Sequence, residues 1–123
     1  MAIGLGAMAG ASTRWAADEL LAGPDTNIAW SLIAVNTIAS ALLGFITGSR
    51  RPTDQRLRDG IGIGFCGGLS TMSTLAVEIA EDFGAGAASM SFGWGALLVV
   101  TSLATGSLGY GVAKSVSQQG MSA

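Results

Sequence analysis

The stretch Gly64-Phe65-Cys66-Gly67-Gly68-Leu69-Ser70-Thr71-Met72-Ser73-Thr74-Leu75 lies inside an apolar segment, yet it is not the sequence of an ordinary helix. Three of the five residues 64–68 are glycine, and each costs a helix interior about 1 kcal/mol relative to alanine. Four of the five residues 70–74 then carry hydroxyls. Small residues followed by hydroxyls, within a hydrophobic span, predict a backbone break lined with polar groups. In a membrane such a break is tolerated only where protein covers it or it faces a water-filled path.

Around this stretch the chain reads as membrane-spanning. It has 123 residues, 50% hydrophobic and 11% charged, against about 25% charged for an ordinary soluble domain. A soluble protein this short has no core large enough to hide so much apolar surface. Nineteen glycines and many alanines permit the close backbone approach that packed membrane helices use. The net charge of -2 and the lack of a basic stripe argue against a nucleic-acid partner. The chain has no histidine, and Cys66 is its single cysteine. His-based catalysis, imidazole metal sites and an intrachain disulfide are thereby excluded. With no nucleophile–base constellation either, the reading is not an enzyme.

Charged residues divide the chain into uncharged runs: Met1 to Thr13, Thr26 to Ser49, Gly60 to Val77 and Phe83 to Ala113. A spanning helix needs about 20 mainly apolar residues. The second and fourth runs meet this outright, the third nearly does, and the first does if Arg14 is admitted near its end. The first run has no Lys or Arg before its apolar part, unlike a signal peptide. The expectation is therefore an all-α membrane protein, one four-helix transmembrane domain over residues 1–123. Its helices fall at about Ile3 to Leu21, Asn27 to Gly48, Gly60 to Glu81 and Ala88 to Val112, with the third broken at its centre. Gly23-Pro24-Asp25 marks a turn, and Lys114 to Ala123 reads as a short, disordered polar tail.

Several polar residues within these spans have two readings. Gly4, Gly6 and Gly10 lie on or near one face of the first helix, as a tight seam requires. Arg14 faces protein or an aqueous vestibule, or else snorkels to the interface beside Trp15. Asn36, Ser40 and Gly44 share a face at four-residue spacing. A mid-membrane amide such as Asn36 must be hydrogen-bonded, either as glue between helices or as a pore-lining donor. Thr101 and Thr105 are one turn apart, and their hydroxyls are expected on their own helix backbone. Glu78, Glu81 and Asp82 read as a solvated cap. The loop Arg50 to Asp59 holds four of the six basic residues. With four spans, Arg50, Arg51, Arg56, Arg58 and Lys114 share a side with both termini, and Arg14 alone lies at the margin of the other. The positive-inside rule then makes both termini cytoplasmic.

Residues 64–78 resemble the signature of the CrcB/Fluc fluoride channels, in which glycine, an aromatic and small residues precede threonines, Phe, Ser, Thr and Phe. Gly6-Ala7-Met8-Ala9-Gly10-Ala11-Ser12-Thr13-Arg14-Trp15 is similar to the family's glycine-alanine-x-x-arginine-aromatic ending of helix one. Val35-Asn36-Thr37-Ile38-Ala39-Ser40 is similar to its valine-asparagine-x-x-glycine-serine segment. The three motifs occur in family order and cover nearly the whole chain. The resemblance implies a passive fluoride exporter of the inner (plasma) membrane, an antiparallel dual-topology-type dimer of four-helix subunits. It implies a structural sodium ion at the dimer centre, held by the backbone carbonyls of Gly67 and Gly68. It places Asn36, Ser40, Met72, Ser73, Thr74 and Leu75 along the fluoride pore and Arg14 at a vestibule. Donor groups suit this ion: fluoride is strongly hydrated, and amide N–H and hydroxyl groups replace its water.

The departures from the family pattern fall at the pore. Met72 and Leu75 stand where a phenylalanine pair is usual, Ala39 and Ala41 replace the usual Gly and Phe, and Leu98 falls where many members carry Tyr. The charge bias is also strong for a chain that must insert both ways. An alternative is therefore a pore-modified subunit that pairs with an oppositely oriented paralogue. A small multidrug-resistance-type transporter is more distant, since its embedded helix-one glutamate has no counterpart beyond Asp18 and Glu19 at the helix end. A non-transporting membrane scaffold is a further reading.

Overall fold

The computed structural model describes residues 1–21, 29–49, 54–84, 86 and 88–119. The Gly23-Pro24-Asp25 turn, the helix start at Asn27, Arg50 to Thr53 of the basic loop and residues 120–123 lie outside the described residues. The elements formed by the described residues are all helical, with no strand among them.

Helix α1 runs over Ala2–Leu21, an alanine-rich stretch free of proline. Helix α2 covers Ala29–Gly48. A cation meets its C-terminal end: Arg58 Nη2 donates to the Ile46 carbonyl at 3.3 Å, where the helix dipole is negative. Asp54 starts the next helix as its N-cap, its Oδ1 accepting the Arg56 N–H at 2.9 Å. This helix, α3, spans residues 55–69. It is α-helical over Gln55–Asp59, π-helical over Gly60–Cys66 and α-helical again over Gly67–Leu69. The wide π turn coincides with glycines at 60, 62 and 64, all buried. Helix α4, Ser73–Gly84, follows after three residues outside any helix. Helix α5 is the longest, Ala88–Gln119.

The helix therefore continues through Lys114–Gln119, where a disordered tail is expected from composition. The reason is local: after Gly111, residues 112–119 contain neither glycine nor proline. Helical hydrogen bonding carries on, with the Ser115 hydroxyl turned back onto the Val112 carbonyl at 2.9 Å.

Among the described residues three helical stretches are long and apolar enough to cross a membrane: Trp30–Gly48, Gln55–Gly84 and Phe92–Gln119. α1 is as long as α2 but carries Arg14, Asp18 and Glu19 toward its end. Large apolar side chains such as Met8, Ile38, Ile63, Phe92 and Leu103 are exposed, as a lipid-facing surface requires.

Two glycine seams organise the packing. In the first, α1 lies on α3: a Cβ at Gly6 would overlap the Gly60 carbonyl, and one at Gly10 would overlap the Phe65 carbonyl. The relation is mutual, since a Cβ at Gly68 would overlap the Ala7 carbonyl. Gly4, also expected on this face, points into open space. In the second seam α2 lies on α5, where a Cβ at Gly44 would overlap the Gly106 carbonyl and one at Gly109 the Ala41 carbonyl. Trp30 and Trp94 close one end of this pair edge to face, with ring centroids 5.1 Å apart.

One stripe of α2 joins the two pairs. Val35 and Ala39 pack with Cys66 and Leu69 of α3, and Leu32 packs with Leu75 of α4 and Leu98 of α5. These α2 positions recur at helical spacing and form one face. Asn36 sits on the same face, between the two apolar clusters.

The seams make a direct prediction. Gly10→Val places side-chain atoms in the Phe65 backbone, which cannot yield as a flexible side chain would. It should destabilise the fold by about 1–3 kcal/mol or more. Gly4→Ala, in open space, should cost nothing. Thermal unfolding in detergent, followed by tryptophan fluorescence, separates the two; equal melting temperatures would contradict the seam.

Candidate functional site

The site is built where α3 stops and α4 begins. Ser70 has an extended backbone, φ -75° and ψ 147°, so the helical pattern cannot continue through it. The Ser70 N–H still reaches the Cys66 carbonyl at 2.9 Å, and the Ala76 N–H reaches the Met72 carbonyl at 3.0 Å. Between these bonds the backbone lacks helical partners. Among the described residues, the carbonyls of Gly67 and Gly68 accept no hydrogen bond from the N–H groups that follow.

Asn36 of α2 fills part of that gap. Its Oδ1 accepts the Thr71 N–H at 3.1 Å, and its Nδ2 donates to the Thr71 carbonyl at 3.4 Å and to the Leu32 carbonyl at 2.8 Å. Asn36 is 4% exposed and Thr71 8%, so this exchange takes place out of contact with solvent. The orientation of the carboxamide follows from chemistry: a backbone N–H only donates, so Oδ1 must face Thr71 N.

The Thr71 hydroxyl continues the network into the first turn of α4. It lies 3.0 Å from Ser73 Oγ and 3.5 Å from Thr74 Oγ1. Ser73 is exposed and Thr74 half-buried. The first turn of a helix also leaves backbone N–H groups without intrahelical acceptors, at the positive end of the helix dipole. The break thus presents oxygen acceptors on its α3 side and hydroxyl and N–H donors on its α4 side.

The remaining candidates are spread around this centre. Met72 is 57% exposed at the break itself. Leu75 is buried against Leu32 and Leu98, with Ile33 and Ile79 beside it. Gly67 is exposed with no atom near its Cβ position, whereas Gly68 faces α1. Ser40, one turn along α2 from Asn36, lines a groove of about 490 Å3 with Gly44, Thr47, Ser102, Gly106 and Tyr110. Arg14 is half-buried on α1 beside an exposed Trp15, and none of the hydrogen bonds above involves it.

Two residues matter more than the sequence suggests. Thr71 is one of four clustered hydroxyl residues, and only the fold distinguishes it, by burying it against Asn36. Ser102 Oγ is buried without a hydrogen-bond partner among the described residues, in the wall of the Ser40 groove. Its neighbours behave as expected of helical hydroxyls: Thr101 donates to Leu97 O and Thr105 to Thr101 O, both at 2.8 Å. Thr105 also reaches the Thr37 carbonyl across the α2–α5 seam at 3.3 Å. Nothing among the described residues groups three or more Cys, Asp or Glu side chains as a metal site. A cation at this centre would therefore have main-chain or hydroxyl oxygens as ligands.

Comparison with known proteins gives this arrangement a family. The fluoride-specific ion channel FluC 1 of Mycolicibacterium paratuberculosis is 38% identical over 80 residues, 63% of this chain and 61% of the relative. FluC 1 of Rhodococcus jostii is 34% identical over 80 residues, 65% of this chain and 60% of the relative. The chain thus spans less than two thirds of the length of these two relatives. FluC 2 of Synechococcus sp. (strain CC9605) is 31% identical over 112 residues, 91% of this chain and 78% of the relative. The sequence profile of the CrcB-like proteins, described as Camphor Resistance (CrcB), matches residues 1–110. A match of that extent shows that the chain belongs to the CrcB family, which is a family of ion channels and not of enzymes.

Proposed function

We propose that this chain forms a passive, fluoride-selective channel that releases fluoride from the cytoplasm. The observation that carries the reading is the hydroxyl cluster of Thr71, Ser73 and Thr74 at an exposed helix start, in a chain whose relatives are named as fluoride channels. A small, strongly hydrated anion crosses a narrow path only where donors replace its water. Ser73 and Thr74 supply hydroxyls, and the first turn of α4 adds a favourable field. Met72 and Ser40 border the path, and Asn36 adjoins it. Leu75 backs the wall from the apolar cluster rather than touching the ion. Arg14 is assigned to a vestibule.

The assembly that suits this chemistry is an antiparallel dimer of four-span subunits in the inner membrane, with both termini cytoplasmic. The seam of α1 on α3 supports α1 as the fourth span. A sodium ion at the dimer centre fits the donor set, since the Gly67 and Gly68 carbonyls are without hydrogen-bond partners among the described residues and oxygen ligands suit a hard cation. Bound there, it would supply positive charge beside the anion path. A transporter of the small multidrug-resistance type is disfavoured, because the acids of α1 sit in its last turn and Asp18 accepts the Ser31 hydroxyl at 2.7 Å.

A second reading is a subunit that conducts only with an oppositely oriented paralogue. It is favoured by Met72 and Leu75 at the break and by the basic residues gathered on one side of the membrane.

Liposomes holding the purified chain test both readings with a fluoride electrode. The single-chain channel predicts fluoride efflux without chloride efflux, lowered about tenfold or more by Ser73→Ala combined with Thr74→Ala, the loss of donors to a charged partner. Silence alone and flux with a paralogue would favour the second reading; silence in both cases would refute the channel. Met72→Phe should leave the fold intact and raise flux, because an aromatic edge is positive. Leu75→Phe should instead overpack the Leu32–Leu98 cluster and cost about 1–3 kcal/mol of stability. Replacing sodium by N-methylglucamine should lower the melting temperature of the dimer; no change would remove the sodium from the proposal.

A further inference from the structure

Asn36 is the natural candidate for a donor to the permeating ion, but its donors are already spent. The carboxamide has two N–H groups. One bonds the Leu32 carbonyl at 2.8 Å, and the other reaches the Thr71 carbonyl at 3.4 Å. Its oxygen holds the Thr71 N–H at 3.1 Å. The groups around it are closed as well, with Leu32, Val35 and Leu69 all buried.

Thr71 needs this partner. Its N–H is buried and cannot use the helical acceptor four residues back, because Ser70 is extended. The Thr71 side chain in turn carries the hydroxyl that meets Ser73 and Thr74.

We propose that Asn36 is a positioning residue for conduction. It pairs with the backbone of Thr71 on both its N–H and C=O sides, and so sets the Thr71, Ser73 and Thr74 hydroxyls at the start of α4. It does not itself ligate the anion. The inference rests on the break being the conduction site, and it separates two roles that sequence places on one residue.

The chain has two asparagines, Asn27 and Asn36, so selective 15N-asparagine labelling shows two side-chain NH2 groups, assigned with Asn36→Ala, and a uniformly 15N-labelled sample shows the backbone amides. The wild-type protein in micelles is titrated with sodium fluoride against sodium chloride at matched ionic strength. The Asn36 side-chain signals should stay in place while the Ser73 and Thr74 backbone amides move. Saturable movement of the Asn36 side-chain signals specific to fluoride, with Thr71 unaffected, would overturn the proposal. Amide exchange provides the second readout and needs no fluoride. The Thr71 N–H should be protected in the wild type and exchange about tenfold faster or more in Asn36→Ala, with the Val35 and Ala39 amides unchanged. Thr71→Ala keeps the backbone pair and should keep that protection while reducing flux. A Thr71 amide that exchanges freely in the wild type would overturn the clamp, whatever the flux assay shows about the channel.

Discussion

A helix that stops inside an apolar layer leaves backbone groups with nothing to bond. Each such buried group carries a cost of about 1–3 kcal/mol if it stays unpaired. The bond from the Thr71 N–H to Asn36 Oδ1 answers this constraint with a side chain from a different helix. Much of the molecule is arranged around it. Asn36 must lie on the face of α2 that meets the break, and that face is held by Val35 and Ala39 on one side and Leu32 on the other. The polar contact is therefore sealed between two apolar clusters, where a short list of partners fixes a single geometry.

The glycine seams serve the same end by different means. Membrane helices gain little from hiding apolar surface from lipid, so close packing and interhelical hydrogen bonds carry the association. Gly6 and Gly10 let α1 approach the α3 backbone, which places the end of α3 next to α2. Gly44 and Gly109 bring α5 onto α2. The pairs meet along α2, and the break lies at that junction. In the proposed channel, what remains for ions is the chemistry left over after folding: carbonyls at the end of α3 and hydroxyls at the start of α4. A channel needs such leftovers, because a site that satisfied every group internally would have nothing to exchange for an ion's water.

Membership of the CrcB family is legible in the residues. The lack of histidine and the lone cysteine exclude imidazole chemistry and an intrachain disulfide, and three ordered motifs carry the family. The roles of individual residues are less legible. Met72 and Leu75 stand in equivalent motif positions, yet Met72 is open and Leu75 is packed against Leu98. Their separation by three residues puts both near one helical face only if both are helical, and Met72 precedes the helix that holds Leu75. Motif spacing cannot express that difference.

The linear sequence determined the helical class, the apolar stretches and the small residues that allow tight seams, because these depend on local composition and period. It also carried the family, through residue types in order. The tertiary structure decided which seam each glycine joins, why Gly4 is spare while Gly10 is not, and which of four neighbouring hydroxyl residues is buried. It alone decided that Asn36 meets Thr71, 35 positions away. Periodicity reports which face of a helix a residue occupies. It does not report which backbone group of another helix lies opposite that face, and at the break that pairing is what distinguishes a donor left open from one already engaged.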